Sequence, residues 1–463
     1  MTGCIIVEQP ELRKVVMSKS NELYLRDKES VSDIMKLRFY PLAVETGNKA
    51  VLTDADGKEY LDFSAGWGVA NVGYNHPRII EAVCSAVRKL STGSTISAIN
   101  EESVELAEKL KELLPGDFDK SVWYGHSGSD ANEFIAKIVP YATGKNKIIT
   151  FVGSYHGQTM GSYAMSGHPS QSKLSGGGGN IIKIPYPYCY RCAFEKSRDT
   201  CDLFCLRYIE NYIFDAVAEP DQIGAVVIEA IQCDGGDVVP ADGFIKGLER
   251  ICRKYDILLI IDEVKIGFGR TGRMFGFEHY DVTPDAVIMG KPLGGGQPLS
   301  AVVGRKELMN SGTGMHLFTT AGNPVACAAA IESLKIIKNE NLEENARKTG
   351  EYLVKKLNKL KDKYDVIGDV RGKGLVIGVE LVKDRETKEP ASELSALVVY
   401  RAYQLGLLFY NSGINSNVLE LTPPLVITEE DADKAVDIIR QSIDDVLEGK
   451  IKPEEICDFA GWN

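Results

Sequence analysis

Residues 257–272 read ILLIIDEVKIGFGRTG and residues 273–296 read RMFGFEHYDVTPDAVIMGKPLGGG. Two short apolar runs each end in a charged residue: Ile257–Ile261 in Asp262, and Ala286–Met289, after Gly290, in Lys291. Continuous apolar runs of this length bounded by turn residues fit strands buried on both faces of a parallel sheet. In open sheets of that kind ligands bind beyond the carboxyl ends of the strands, where Asp262 and Lys291 would both be delivered. An acid that can hold a protonated ring nitrogen, beside a lysine that can form an imine, is what pyridoxal phosphate requires.

Working outward, apolar strands alternate with helical segments from Ser121 onward: KSVWYG, NKIITFV, GAVVIEAI, DILLIIDEV and DAVIMG. That alternation predicts an α/β fold with a central, mostly parallel sheet. Upstream, LAVETGNKAVLTDADGKEYLDFSAG predicts a β-meander turning at Asp56-Gly57. A calcium loop is the rejected alternative there, because the later acidic ligand is missing. His76-Pro77 opens a helix through Lys89, and Glu101–Leu114 forms another. A long helix begins near Asn323-Pro324. The remainder predicts a smaller α+β unit, with helices over Leu342–Leu360, Glu393–Leu405 and after Thr428, and strands near Val366–Arg371 and Leu375–Leu381. The expected organisation is an N-terminal segment and meander (1–75) packing with the small domain, a large cofactor-binding domain (76–335) and a C-terminal small domain (336–463). The first thirty or so residues read as a helix followed by a linker, and Ser175–Gly179 as a glycine-rich loop. Gly267-x-Gly269-x-x-Gly272 matches a dinucleotide fingerprint literally but stands several residues from its strand, and is rejected.

Composition narrows the function classes. A formal charge of −12 argues against nucleic acid. No run reaches the roughly 18 apolar residues of a membrane span, and the N-terminal run Cys4–Val7 is too short for a signal peptide. Ten cysteines without a secretion signal point to the reducing cytoplasm. Six histidines, none at ligand spacing, make a histidine metal site unexpected. Cys189, Cys192, Cys201 and Cys205 read as locally packed free thiols, with a zinc site or disulfides as the alternatives that their spacing allows.

Two further strand ends carry chemistry. Trp123–Glu133 (WYGHSGSDANE) is a strand end, a small-residue turn and a helix start, an anion site or an ordinary cap at Ser129 or Asp130. Phe151–Gly157 (FVGSYHG) delivers an aromatic ring, Tyr155, to the same edge, where it could stack on a heteroaromatic cofactor.

The blocks HSGSDANE, GSYHG, DEVKIGFGRTG, MGKPLGGGQPLSAV, TTAGNP and VRGKGL resemble the class III aminotransferases of pyridoxal-phosphate fold type I, from about Lys36 to the C-terminus. Within that family, KLRFYPLA, RAYQLGL, NVLELTPPLVIT and FAGW resemble the α-amino-ε-caprolactam racemase subgroup. The resemblance implies that Lys291 forms the imine and that Asp262 pairs with the ring nitrogen. It implies phosphate contacts from Ser127, Gly128 and Ser129, joined by Thr319 of a partner subunit in a homodimer. Tyr155 would stack on the ring, with His156 and Glu229 completing the cofactor set; the proline usual after that glutamate is Ala230 here.

Three positions bear on the reaction. Lys265 stands where aminotransferases of the family usually carry glutamine near the ring hydroxyl; a surface lysine is the alternative. Glu420 stands where many carry an arginine that grips a substrate carboxylate, and like charges 4 Å apart repel by about 1 kcal/mol in water and several in a less polar site. Arg371 could still supply a clamp. Asp234 matches the acid–base aspartate of the racemase subgroup. The expected function is therefore racemisation of α-amino amides or lactams, with Lys291 and Asp234 as the two bases and Lys265 assisting. Amino transfer to a keto acid is the alternative, and a non-catalytic cofactor-binding protein is a third reading that Lys291 and Asp262 disfavour. Trp67 is a candidate substrate-pocket aromatic or a core residue.

Overall fold

The computed structural model describes residues 18–171, 179–459 and 461–462. The expected loop at Ser175–Gly179 lies outside the described residues apart from Gly179, as does the N-terminal run Cys4–Val7. The first described helix is Lys19–Ser30. Strands β1 (Val44–Asn48), β2 (Val51–Asp54) and β3 (Glu59–Asp62) form the antiparallel meander. Its turn is closed by the Asp54 carboxylate, which accepts the backbone N–H of Asp56 and Lys58 at 2.9 Å each, so this acid caps a turn.

The main sheet contains β4 (Lys120–Gly125), β5 (Lys147–Phe151), β6 (Ile181–Ile184), β7 (Ile223–Glu229), β8 (Leu258–Asp262), β9 (Ala286–Met289) and β10 (Ser300–Arg305). Their order is β4-β10-β9-β8-β7-β5-β6, all parallel except β10, which runs antiparallel to both neighbours. Alternate residues feed two cores. Val227, Ile260 and Ile288 pack with Ala131, Ile135 and Ile138 of the helix Gly128–Thr143. Val226, Ile261 and Val287 join the larger core, which includes Phe244 and Leu248 of the helix Phe244–Lys254. Burial on both faces explains why these strands read as unbroken apolar runs.

Two strands of this main sheet are absent from the sequence reading. The β6 run Ile181–Ile184 is only four residues long and contains Lys183. The β10 run follows Gly294–Gly296 and a proline, and its insertion between β4 and β9 is decided by tertiary pairing.

The long helix Pro324–Asn339 starts from an Asn323 cap, whose side chain accepts Ala326 N–H. Beyond it, β11 (Ile367–Lys373), β12 (Val376–Leu381), β14 (Tyr410–Ser412) and β15 (Val418–Leu421) make an antiparallel sheet in the order β11-β12-β15-β14. The helices Leu342–Lys363, Ser392–Gln404 and Glu429–Leu447 accompany this sheet. The short β13 (Leu407–Leu408) instead pairs in parallel with β3 of the meander. The rejected glycine fingerprint is a loop whose Arg270 is fully buried, donating to the carbonyls of Leu375 and Pro423 and to Asn71. It ties these regions together.

Candidate active site

A cavity of about 390 Å³ opens where β4, β5, β7 and β8 end and the chain leaves β9. Ser127, Gly128, Ser129, Tyr155, His156, Glu229, Asp234, Asp262, Lys265 and Lys291 all line it. Register explains part of this convergence: Glu229 is paired with Asp262, and Asp262 with Ile288, three residues before Lys291.

At one end, Ser127 caps the helix Gly128–Thr143 in a capping box. Its hydroxyl accepts Asp130 N–H at 3.2 Å, and Asp130 accepts the N–H of His126 and Ser127. Among the described residues, the backbone N–H groups of Gly128 and Ser129 have no hydrogen-bond partner. Free donors at a helix N-terminus favour an anion. Close packing brings this terminus into the cavity: a Cβ on Gly128 would lie 2.8 Å from Val264, and one on Gly157 (φ +124°) 2.6 Å from the Ser129 backbone.

Asp262 closes β8 and is nearly fully buried. Its Oδ2 accepts from Asn132 Nδ2 at 2.9 Å and from His156 Nδ1 at 2.8 Å, while its Oδ1 accepts Val264 N–H at 3.0 Å. Asn132 was not singled out from sequence. The available signal was its place one helical turn after Gly128, whose carbonyl it also binds. The carboxylate is thus fixed in orientation by three donors, and His156 keeps an unpartnered buried Nε2. Lys291 follows β9 in a left-handed backbone conformation (φ +42°). Such strain persists only where surrounding structure enforces it. Burial and the neighbouring Lys265 cation hold the Lys291 amine below its ordinary pKa.

Lys265 and Glu420 form one unit. The Lys265 ammonium lies 2.7 Å from Glu420 Oε1, both side chains being buried. Burial opposes the lysine charge, but Glu420 and Asp234 outweigh it and raise its pKa well above the usual value. The expectation of a bare negative charge at Glu420 is corrected: Glu420, on β15, does not line the cavity and its charge is matched by Lys265. The two residues are 155 positions apart, so their pairing depends on the fold. Trp67 also stands outside the cavity lining, stacked on Tyr410 at 4.3 Å with the Lys265 ammonium 5.5 Å from its ring.

Asp234 lies in the loop after β7, pinned where its carbonyl accepts Gly413 N–H at 2.9 Å. Burial would raise its pKa, but Lys265, Lys291 and His168 prevail and hold the carboxyl below its ordinary value. Glu229 behaves oppositely: burial, then Asp262 and Asp234, push it well up. Arg371 does not line the cavity. Its guanidinium donates to the Gly236 carbonyl at 2.9 Å, to Asp369 at 2.9 Å and to Glu380 at 2.7 Å. Among the described residues no arginine lines this cavity.

Thr319 is exposed and outside the cavity of its own chain; the adjacent Thr320 is hydrogen-bonded to His126 at 2.9 Å. Cys189, Cys192, Cys201 and Cys205 line a separate small pocket with Phe194 and Phe204, and all four are unpaired. Burial raises the Cys189 thiol and pushes Cys205 up to about 11. Among the described residues, no group of three or more His, Cys, Asp or Glu side chains is gathered as a metal ion would require.

A model of class III aminotransferases matches residues 35–443. The chain belongs to the class III aminotransferase family. It is 38% identical over 459 residues to an alanine/serine racemase of Pyrococcus horikoshii, covering 97% of this chain and 95% of that protein. It is 40% identical over 429 residues to a leucine/methionine racemase of Thermococcus litoralis, covering 92% and 96%. A solved Bacillus anthracis aminotransferase superposes with a TM-score of 0.85 at 31% identity, covering 92% of this chain and 98% of that one. The class III chain is therefore an enzyme of fold type I, from a family that holds both racemases and aminotransferases.

Proposed function

We propose that this class III enzyme is a pyridoxal 5'-phosphate-dependent racemase of neutral α-amino acids, with Lys291 and Asp234 as the two proton-transfer groups. The observation that carries the reading is that both groups enter one cavity from different strand ends while no arginine lines it among the described residues. An acceptor keto acid with two carboxylates needs a cationic clamp, and Arg371 is engaged elsewhere. The racemase names of the Pyrococcus and Thermococcus relatives support free amino acids over the lactams suggested by motif resemblance.

The residues fit the cofactor. Gly128 and Ser129 offer free N–H donors to its phosphate, Tyr155 a ring to stack on it, and Lys291 an amine for imine formation. Asp262, oriented by Asn132 and His156, would hold the proton on the pyridine nitrogen. When bound, the cofactor delocalises the charge left at the substrate Cα. Asp234, kept ionised beside Lys265, accepts or returns the Cα proton on one face, and Lys291 serves the other. The Lys265–Glu420 pair sets the charge beside Asp234 without adding net charge.

We further propose a homodimer in which Thr319 reaches the partner's cofactor phosphate. The exposed apolar residues Ile80, Val87, Leu90, Ile99 and Leu317 supply surface for such an interface. No helix among the described residues is long and apolar enough to cross a membrane. Cys84, Cys189, Cys192, Cys201, Cys205, Cys233, Cys252 and Cys327 are free thiols, which supports a reducing compartment such as the cytoplasm.

The test is a chiral assay of single enantiomers of leucine, alanine and α-amino-ε-caprolactam, with and without 2-oxoglutarate. The expected result is loss of optical activity of an amino acid without the keto acid. Turnover that occurs only with 2-oxoglutarate would establish amino transfer instead.

A further inference from the structure

Asp237 is fully buried, three residues after Asp234, and neither of its carboxylate oxygens has a hydrogen-bond partner. Its backbone is fixed: the N–H donates to Cys233 O at 2.9 Å, and the residue sits in the left-handed region (φ +51°). The side chain packs against β12, where a Cβ on Gly378 would lie 3.1 Å from the Asp237 Cβ. Gly378 is the register partner of Glu420 on β15. Glu420 is itself half satisfied: Oε1 takes Lys265, while the buried Oε2 has no donor. Three buried carboxylate oxygens on neighbouring side chains therefore lack a donor.

The charges around them decide how this is resolved. The groups acting on Asp237 are Glu420, Lys265, Arg371 and Asp234. Lys265 is matched by Glu420, and Arg371 by Asp369 and Glu380. A second ionised carboxylate would be buried beside like charge with no donor of its own, which is the costliest arrangement available. One retained proton removes that charge and supplies a donor.

We infer that Asp237 is held as a neutral acid that donates its proton, directly or through one buried water, to Oε2 of Glu420. It is thereby a positioning residue that fixes the Lys265–Glu420 pair beside Asp234. Its effect on turnover rests on the racemase reading above; its protonation does not. In this arrangement Asp237 ties the loop bearing Asp234 to the ion pair that keeps Asp234 ionised, so one internal hydrogen bond couples the two halves of the site.

The experiment compares holoenzyme of the wild type, Asp237→Asn and Asp237→Leu. Infrared difference spectra at neutral pH, wild type minus Asp237→Asn, read the C=O stretch of a protonated carboxyl and cancel other buried acids such as Glu229 and Glu263, the latter pushed up to about 8 by burial. The expected result is a positive protonated-carboxyl band that shifts in deuterated water. Asparagine retains a donor for Glu420 and should keep most of the racemisation rate, whereas leucine should lose about tenfold or more, as a lost buried hydrogen bond to a charged group implies. Absence of the band, or an asparagine variant as impaired as the leucine variant, would overturn the inference. Should the leucine variant fail to fold, the band and the asparagine variant still decide. Should the wild type not racemise any substrate, the band alone still tests the protonation.

Discussion

Lys265 keeps its charge in a place where burial alone would remove it. Glu420 at 2.7 Å and the nearby Asp234 supply the compensation, and the return effect is that Asp234 stays ionised although buried. Removing the cation by Lys265→Met leaves Asp234 buried and deletes its largest favourable partner, so the Asp234 pKa must rise. The acid limb of the kcat/KM profile should then move to higher pH, and turnover at neutral pH should fall about tenfold, the equivalent of ~1.4 kcal/mol of barrier. A pH–rate profile of the variant checks this; an unmoved acid limb would separate Lys265 from Asp234. At this scale the sequence was informative about single residues and silent about pairs. Asp262 and Lys291 were legible because each ends an apolar run, and strand ends in parallel sheets face ligands. The joining of Lys265 to Glu420 was not legible, because it needs β15 to lie beside the end of β8. Asn132 was hidden for a similar reason: its role is to orient an acid 130 residues away.

Elements place these residues through a few close approaches. The helix Gly128–Thr143 presents its N-terminus to the cavity only because Gly128 admits Val264 and Gly157 admits the Ser129 backbone. Gly157 is also at φ +124°, where a side chain is strained regardless of space. Gly157→Ala should cost about 1–3 kcal/mol of stability through overpacking. Moving the helix terminus away from the phosphate should also weaken cofactor retention, by up to about tenfold on the scale of a helix-terminus interaction. Denaturant midpoints of the holoenzyme and cofactor titration of the apoenzyme measure the two effects, and an unchanged cofactor affinity would place the anion site elsewhere. Most elements were legible because apolar period and caps agreed, as at His76-Pro77 and Asn323-Pro324. The exceptions, β6 and β10 in the main sheet and β13, β14 and β15 beyond it, are short strands defined by their neighbours.

On the scale of the whole molecule, the C-terminal part of the chain adds β13 to the meander beside β3, and its own sheet reaches the carboxyl end of β8 through Glu420 of β15, paired with Lys265. This arrangement lets residues from distant parts of one chain set the charge of a single cavity. On the proposed reading, a fold shared with aminotransferases supports a different fate for the same proton because Asp234 and Lys265 line the cavity while Glu420, outside it, balances the charge of Lys265. The four-cysteine segment stands apart from the active-site cavity and lines its own pocket. Proton return to Cα on both faces is read out by incubating the holoenzyme with one enantiomer of leucine in deuterated water without a keto acid. Optical activity should decay while deuterium enters Cα of the amino acid. Retention of configuration with no Cα deuterium, or loss of optical activity with protium still at Cα, would contradict two-face proton transfer.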